Sequence, residues 1–143
     1  MIIKFEGLDE LIKEVEMIAS ESEIEKSNKK ILKECGKKAQ STAKSKMPRS
    51  NDPMLSGRKG SRTGQHSADN VPLNGVKKKN GYQSIIVGWE KSDNSPYFYV
   101  KFTEWGTSKI KPFAYMESTK QELEGYFSKV AQSEYESLIS KLK

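Results

Sequence analysis

The chain has 143 residues, one domain's worth by length, with 34% hydrophobic and 31% charged residues and a net charge of +6. No run approaches the ~18 consecutive apolar residues that a membrane span needs. Met1-Ile2-Ile3-Lys4-Phe5 lacks the basic segment and apolar core of a signal peptide, so a soluble protein made inside a cell is expected.

The chain holds one cysteine and one histidine, which excludes an internal disulfide and a thiolate zinc site. No G-x-S-x-G elbow, phosphate-binding G-x-x-x-x-G-K-[ST] or G-x-G-x-x-G occurs. Cys35 reads as a small core residue of a helix, and His66 as a solvated imidazole in a loop rich in Gly and Ser. No catalytic, cofactor or metal set is expected, and an enzyme is disfavoured.

In chain order, Leu8, Leu11, Ile12 and Val15 recur at i, i+3, i+4 and i+7 after Gly7, one face of a first helix. Ser22-Glu23-Ile24-Glu25 fits a capping box that opens a second helix. Its apolar positions are Ile24, Ile31, Leu32, Cys35, Ala39, Thr42 and Ala43; Gly36 weakens it, and Pro48 stops it at or before Met47. The stretch PRSNDPMLSGRKGSRTGQHSADN from Pro48 to Asn70 is too polar to offset its ordering entropy. An extended arm over 48–80, mobile in the free subunit and ordered by neighbours, is expected.

Val71-Pro72-Leu73 reads as a short edge strand, and Asn80-Gly81 as a hairpin turn. Tyr82–Glu90 reads as a strand with Gly88 as a candidate bulge, and Tyr97–Trp105 as a second strand. In that second strand Tyr97, Tyr99, Lys101 and Thr103 face one way, and Phe98, Val100, Phe102 and Glu104 the other. Pro112 suits the start of a last helix, anchored in the core by Phe113, with Met116, Leu123, Phe127, Val130, Ala131, Leu138 and Ile139 on its apolar face and Gly125 as a weak point. The expectation is one α+β domain: a small antiparallel sheet packed by two N-terminal helices and a long C-terminal helix, with a long polar arm.

The positive charge is concentrated. Lys26–Arg62 holds 12 basic residues against Glu34 and Asp52, a net +10, and the rest of the chain is −4. Lys30, Lys33, Lys37, Lys38, Arg49, Arg58 and Arg62 form a candidate basic contact surface. Phosphates, an acidic protein surface, or solvent alone would each account for it. No aromatic residue lies between Lys26 and Arg62, which counts against single-stranded nucleic acid.

The segment Tyr97–Phe113 runs YFYVKFTEWGTSKIKPF. Its Glu104-Trp105-Gly106-Thr107-Ser108-Lys109 followed by Pro112-Phe113 resembles the head–tail joining, neck or tail-completion proteins of tailed bacteriophages, a gene-product-ten-like family. Gly7-Leu8-Asp9-Glu10-Leu11 at the start and Thr63-Gly64 in the polar loop fit the same pattern. The resemblance implies a structural subunit of a phage or prophage neck or upper tail. Copies would form a ring that joins or completes head and tail around the DNA channel. Its partners would be copies of itself and other neck, connector and tail proteins, with no membrane; the basic segment over Lys26–Arg62 leaves room for non-specific DNA contact. It would be assembled in the bacterial host cytoplasm and reside in the virion. The alternative is a basic DNA-binding module associated with packaging.

Tyr97, Tyr99, Glu104, Trp105, Gly106, Thr107, Lys109, Pro112 and Phe113 form the candidate subunit interface. By its chemistry, Glu104 would either pair with Lys101, Lys109 or Lys111, within the subunit or across an interface, or remain a solvated acid.

Overall fold

Ser20 sets the start of the longest N-terminal element. In the computed structural model, which describes residues 9–55, 59–60, 62–89 and 94–143, helix α1 spans Asp9–Ile18 and α2 spans Glu21–Lys46. The expected features at Ile2, Ile3, Phe5, Gly7, Leu8, Arg58 and Glu90 lie outside the described residues. The Ser20 backbone amide donates to Glu23 Oε2 (2.7 Å), and the Glu23 amide donates to Ser20 Oγ (3.3 Å). The capping box therefore lies two residues earlier than Ser22 and Glu25, at the first of two overlapping S-x-x-E patterns. Glu25 is thereby left to pair with Lys78. The bonds from Ser20 hold the Glu23 carboxyl below its ordinary range. At the other end α2 stops before Pro48, as expected, with the Met47 amide donating to the Ala43 carbonyl.

The last helix, α4, follows a short α3 (Val100–Trp105), spans Tyr115–Leu142 and runs antiparallel to α2. Asn28 meets Tyr135 near one end, Glu34 meets Tyr126 in the middle, and Lys46 meets Ser118 at the other end. Both helices bury a row of residues at four-residue spacing: Ser27, Ile31, Cys35, Ala39 and Ala43 on α2, continued by its C-cap Met47 and flanked by Leu32 and Gly36, and Tyr115, Thr119, Leu123, Phe127, Ala131, Tyr135 and Ile139 on α4. These are i±4 ridges, with the small side chains of α2 leaving room for the rings of α4. A step of four residues overshoots a full helical turn by about 40°. The buried seam therefore winds around α4, from α3 at its start to α1 near its end, where Lys143 pairs with Glu14 (3.1 Å).

A β layer covers another flank of α2. Strands β1 (Lys77–Lys79) and β2 (Tyr82–Ser84) pair antiparallel, with Lys77 opposite Ser84 and Lys79 opposite Tyr82. The turn is the expected Asn80-Gly81, both at positive φ (52° and 80°). Beyond Ser84 the ladder thins to a bridge between Leu73 and Val87, so the strand expected over Tyr82–Glu90 is regular only at its start. Gly36 explains itself here. A Cβ on it would lie 2.9 Å from Ile85 Cδ1 and 3.0 Å from Leu73 Cδ1, so this break in helical propensity is the notch that seats the β layer. Of the arm expected over 48–80, the part from Ser67 is packed rather than extended: Ser67, Ala68 and Val71 are buried, and Arg49 grips Asp69 through two hydrogen bonds (2.6 and 3.0 Å).

The second expected strand is corrected. Tyr97–Trp105 is a turn over residues 96–99 that runs into helix α3 (Val100–Trp105). The amides of Phe98, Val100 and Phe102 donate to the carbonyls of Ser95, Tyr97 and Tyr99, each at 3.0 Å. Aromatic composition favours a strand, but these local bonds satisfy the backbone. The buried positions of this helix, Val100 and Glu104, are four apart. The start of α4 is corrected too: it begins at Tyr115 rather than Pro112, and Phe113 lies largely exposed rather than in the core.

The two glycines in the long helices differ, and so do the expected effects of replacing them. Gly125 has open space around its Cα, so Gly125→Ala should raise the unfolding free energy by about 0.5–1 kcal/mol. Gly36→Leu should lower it by about 1–3 kcal/mol through overpacking. Urea denaturation followed by circular dichroism measures both.

Alkali should weaken the fold. Burial, with Glu34 adding to it, pushes the Cys35 thiol from its ordinary 9.0 up to about 12, and burial pushes the Tyr115 phenol from 10.0 up to about 12. Within those windows the unfolded chain binds fewer protons than the folded one, so stability falls as pH rises through them. The urea midpoint should decline from pH 9 to 12, less steeply in Tyr115→Phe.

Candidate functional site: the corner between α3 and α4

Residues 103–117 close a corner in which two helix ends satisfy each other. The last carbonyls of α3 lack partners within so short a helix. The Thr103 carbonyl accepts from the Phe113 amide (2.8 Å), and the Glu104 carbonyl from the Ala114 amide (3.2 Å). In return the Glu104 carboxylate accepts from the amides of Met116 (3.0 Å) and Glu117 (3.3 Å), in the first turn of α4. The residue at the N-cap of α4, Ala114, has no capping side chain and sits at φ 48°. Glu104 supplies the cap from another helix and places negative charge at the positive end of α4's dipole. It is buried and engages these amides, which corrects both the solvated acid and the pairing with Lys101, Lys109 or Lys111 within the subunit.

The loop between the helices is tied just as closely. Gly106 leaves α3 at φ 76°, where a Cβ would lie 2.8 Å from the Ile110 carbonyl oxygen and 2.9 Å from the Pro112 ring. The Thr107 amide donates to the Ile110 carbonyl (2.9 Å), and Thr107 Oγ1 accepts from the amides of Lys109 (3.2 Å) and Ile110 (3.1 Å). The Tyr115 hydroxyl donates to the Val100 carbonyl (3.0 Å), fixing α4 to α3 from beneath.

This backbone projects apolar side chains outward. Phe102 is 41% exposed, Trp105 45%, Ile110 42% and Phe113 59%. Lys109 and Lys111 are exposed beside them, and the Lys101 ammonium lies 5.8 Å from the Phe102 ring centroid. Clustered exposed apolar groups with a polar rim have the composition of a protein-binding surface. Among the described residues no group of three His, Cys, Asp or Glu side chains is placed to hold a metal, and no helix is long and apolar enough to cross a membrane.

Residues 9–106 match a family described as "Bacteriophage HK97-gp10, putative tail-component". The chain belongs to this family. The match agrees with the resemblance read from the Tyr97–Phe113 segment and carries a structural role of the tail-component kind. It takes in α1, α2, the hairpin and α3, including Glu104, Trp105 and Gly106, and stops short of Thr107, Lys109, Pro112, Phe113 and α4. No curated protein and no solved structure matches the chain.

The interface residues expected from sequence are thus divided by the fold. Glu104, Gly106, Thr107 and Pro112 build the corner, while Trp105, Lys109 and Phe113 display side chains from it. Tyr97 and Tyr99 serve elsewhere. Tyr97 packs against Trp89 (ring centroids 6.0 Å apart) and shares a hydrogen bond with Thr63 (3.1 Å); burial raises the Tyr99 phenol's pKa, and its ring meets those of Tyr97 (6.5 Å) and Phe98 (6.0 Å) edge-on. Phe102 and Ile110 were missed as exposed groups. Reading Phe98, Phe102 and Trp105 at i, i+4 and i+7 would have found the first.

The basic set is divided as well. Lys30 pairs with Glu134 (3.0 Å), Lys38 lies over the Tyr126 ring (5.8 Å), and Arg49 holds Asp69. Lys33, Lys37 and Arg62 are exposed, and Arg58 is outside the described residues.

Removing the shared cap should loosen the corner. Glu104→Ala leaves two amides of α4 without their acceptor and should cost about 1–3 kcal/mol of stability. Glu104→Gln, which keeps one acceptor oxygen, should cost less; urea unfolding of the two variants gives the comparison.

Proposed function

We propose that the chain is a structural subunit of the neck or upper tail of a phage, prophage or phage-derived particle. Copies of it close into a ring that joins or completes head and tail around the DNA channel. Its work is association with its own copies and with neighbouring neck, connector and tail proteins, with no bond made or broken. It is assembled in the host cytoplasm and carried in the virion.

The observation that carries this reading is the apolar corner of Phe102, Trp105, Ile110 and Phe113, held on a backbone that needs no partner to keep its shape. A preorganised apolar surface loses little conformational freedom on docking. Closing a ring requires a patch that meets a different patch on the next copy. The far end of the molecule, ~40 Å away along α4, has the complementary character. There Met17 and Ile18 are exposed beside Glu16, a second apolar patch with an acidic neighbour in place of the lysines of the corner.

Trp105→Ala and Phe113→Ala test the proposal, since exposed side chains can be truncated without emptying the core. The double variant should match the parent chain in thermal unfolding yet yield separate heads and tails of normal appearance, with joined particles and infectious titre down at least ~100-fold (about 2.7 kcal/mol of contact energy, a two-residue hot spot). Full infectivity of the double variant would overturn it.

A further inference from the structure

Helix α2 has one flank against α4, through Ser27, Glu34 and Lys38, and another against the β layer, through Glu25, Gly36 and Gln40. What remains between the flanks is a ridge of lysines. At 100° per residue Lys26, Lys33, Lys37 and Lys44 fall within about 40° of one another, opposite the buried seam, with Lys29 and Lys30 beside them. Lys26, Lys29, Lys30, Lys33 and Lys37 are exposed and Lys44 is half-buried. The nearest carboxylates on the α4 side are already engaged, Glu134 by Lys30 and Glu34 by the Tyr126 hydroxyl. The ridge runs ~27 Å at 1.5 Å per residue.

We infer that this ridge is a binding site for the phosphate backbone of duplex DNA, read without regard to base sequence. Three features favour DNA over an acidic protein. Ser41, beside the ridge, and Gln40, where it borders the β layer, are polar, so the ridge has no apolar or aromatic anchor, whereas protein interfaces are built on such anchors and depleted in lysine. Lysines four apart at 26/30, 29/33 and 33/37 repel one another and weaken the helix, a cost that the Lys30–Glu134 ion pair offsets only in part. A duplex presents one negative charge per ~1.7 Å of its axis, so a phosphate is within reach of each lysine along the ridge. A single subunit carries the whole ridge, so binding does not require the ring, and a negative result leaves the reading of the aromatic corner intact.

Fluorescence anisotropy of the full chain with a labelled 30-base-pair duplex, from 50 to 200 mM salt, is the test. Affinity should be the same for unrelated sequences and should fall with a log–log salt slope of about −4, the release expected for four to five phosphates. Lys33→Glu with Lys37→Glu should weaken binding at least ~10-fold at 50 mM salt and flatten the slope by about 2. Lys129→Glu with Lys141→Glu, the same charge change on exposed positions of α4, should change it less than ~3-fold. Absence of binding at 50 mM salt, equal loss in both double variants, or equal affinity for polyglutamate would each overturn the assignment.

Discussion

One carboxylate holds the shape of the aromatic corner. Glu104 sits on a helix of six residues, too short to satisfy its own ends. It spends its side chain on the first amides of α4 and its carbonyl on the chain entering α4. Each helix thereby completes the other, and neither end can shift without exposing buried polar groups on both. The φ 48° of Ala114 and the crowding around Gly106 follow from the same constraint: the chain must double back within eight residues to bring Phe113 and Ala114 onto α3.

The rest of the fold works by seams of four. Because four-residue steps drift around a helix, the buried stripe of α4 turns from α3 toward α1 as it ascends, so that α4 is the hub for the other helices. The small residues of α2 admit the rings of α4 on one flank, and Gly36 admits Ile85 and Leu73 on another. The flank left over is the lysine ridge. Chemistry thus sorts by face: apolar toward the hub, basic along the outer edge of α2, aromatic at the corner.

Much of this was legible in the residues, and the failures have a common cause. The long helices, the stop at Pro48, the Asn80-Gly81 hairpin and the burial of Cys35 all rest on local chemistry that tertiary contacts reinforce. The segment YFYVKFTEW misled because aromatic and β-branched residues alternate in it, while the burial that selects its conformation involves only Val100 and Glu104, four apart. A glutamate among aromatics reads as a surface acid until the amides of Met116 and Glu117, twelve and thirteen residues away, are brought to it. Phe113 beside Pro112 reads as an anchor, yet a cap supplied from α3 lets the helix begin at Tyr115 and leaves that ring outside. Tyr115, Thr119 and Tyr135 were missed as core because each carries a hydroxyl; the structure gives those hydroxyls acceptors in the Val100 carbonyl, the Tyr115 carbonyl and Asn28.

The corner's architecture separates what shapes it from what it displays. Its turns are fixed by main-chain bonds, one carboxylate, one threonine hydroxyl and one glycine, none of which is among the outward-pointing rings. Phe102, Trp105, Ile110 and Phe113 can therefore be exchanged during descent while the scaffold beneath them stays as it is. What the corner presents and the shape in which it presents it are thus set by different atoms, and either can be altered while the other is kept.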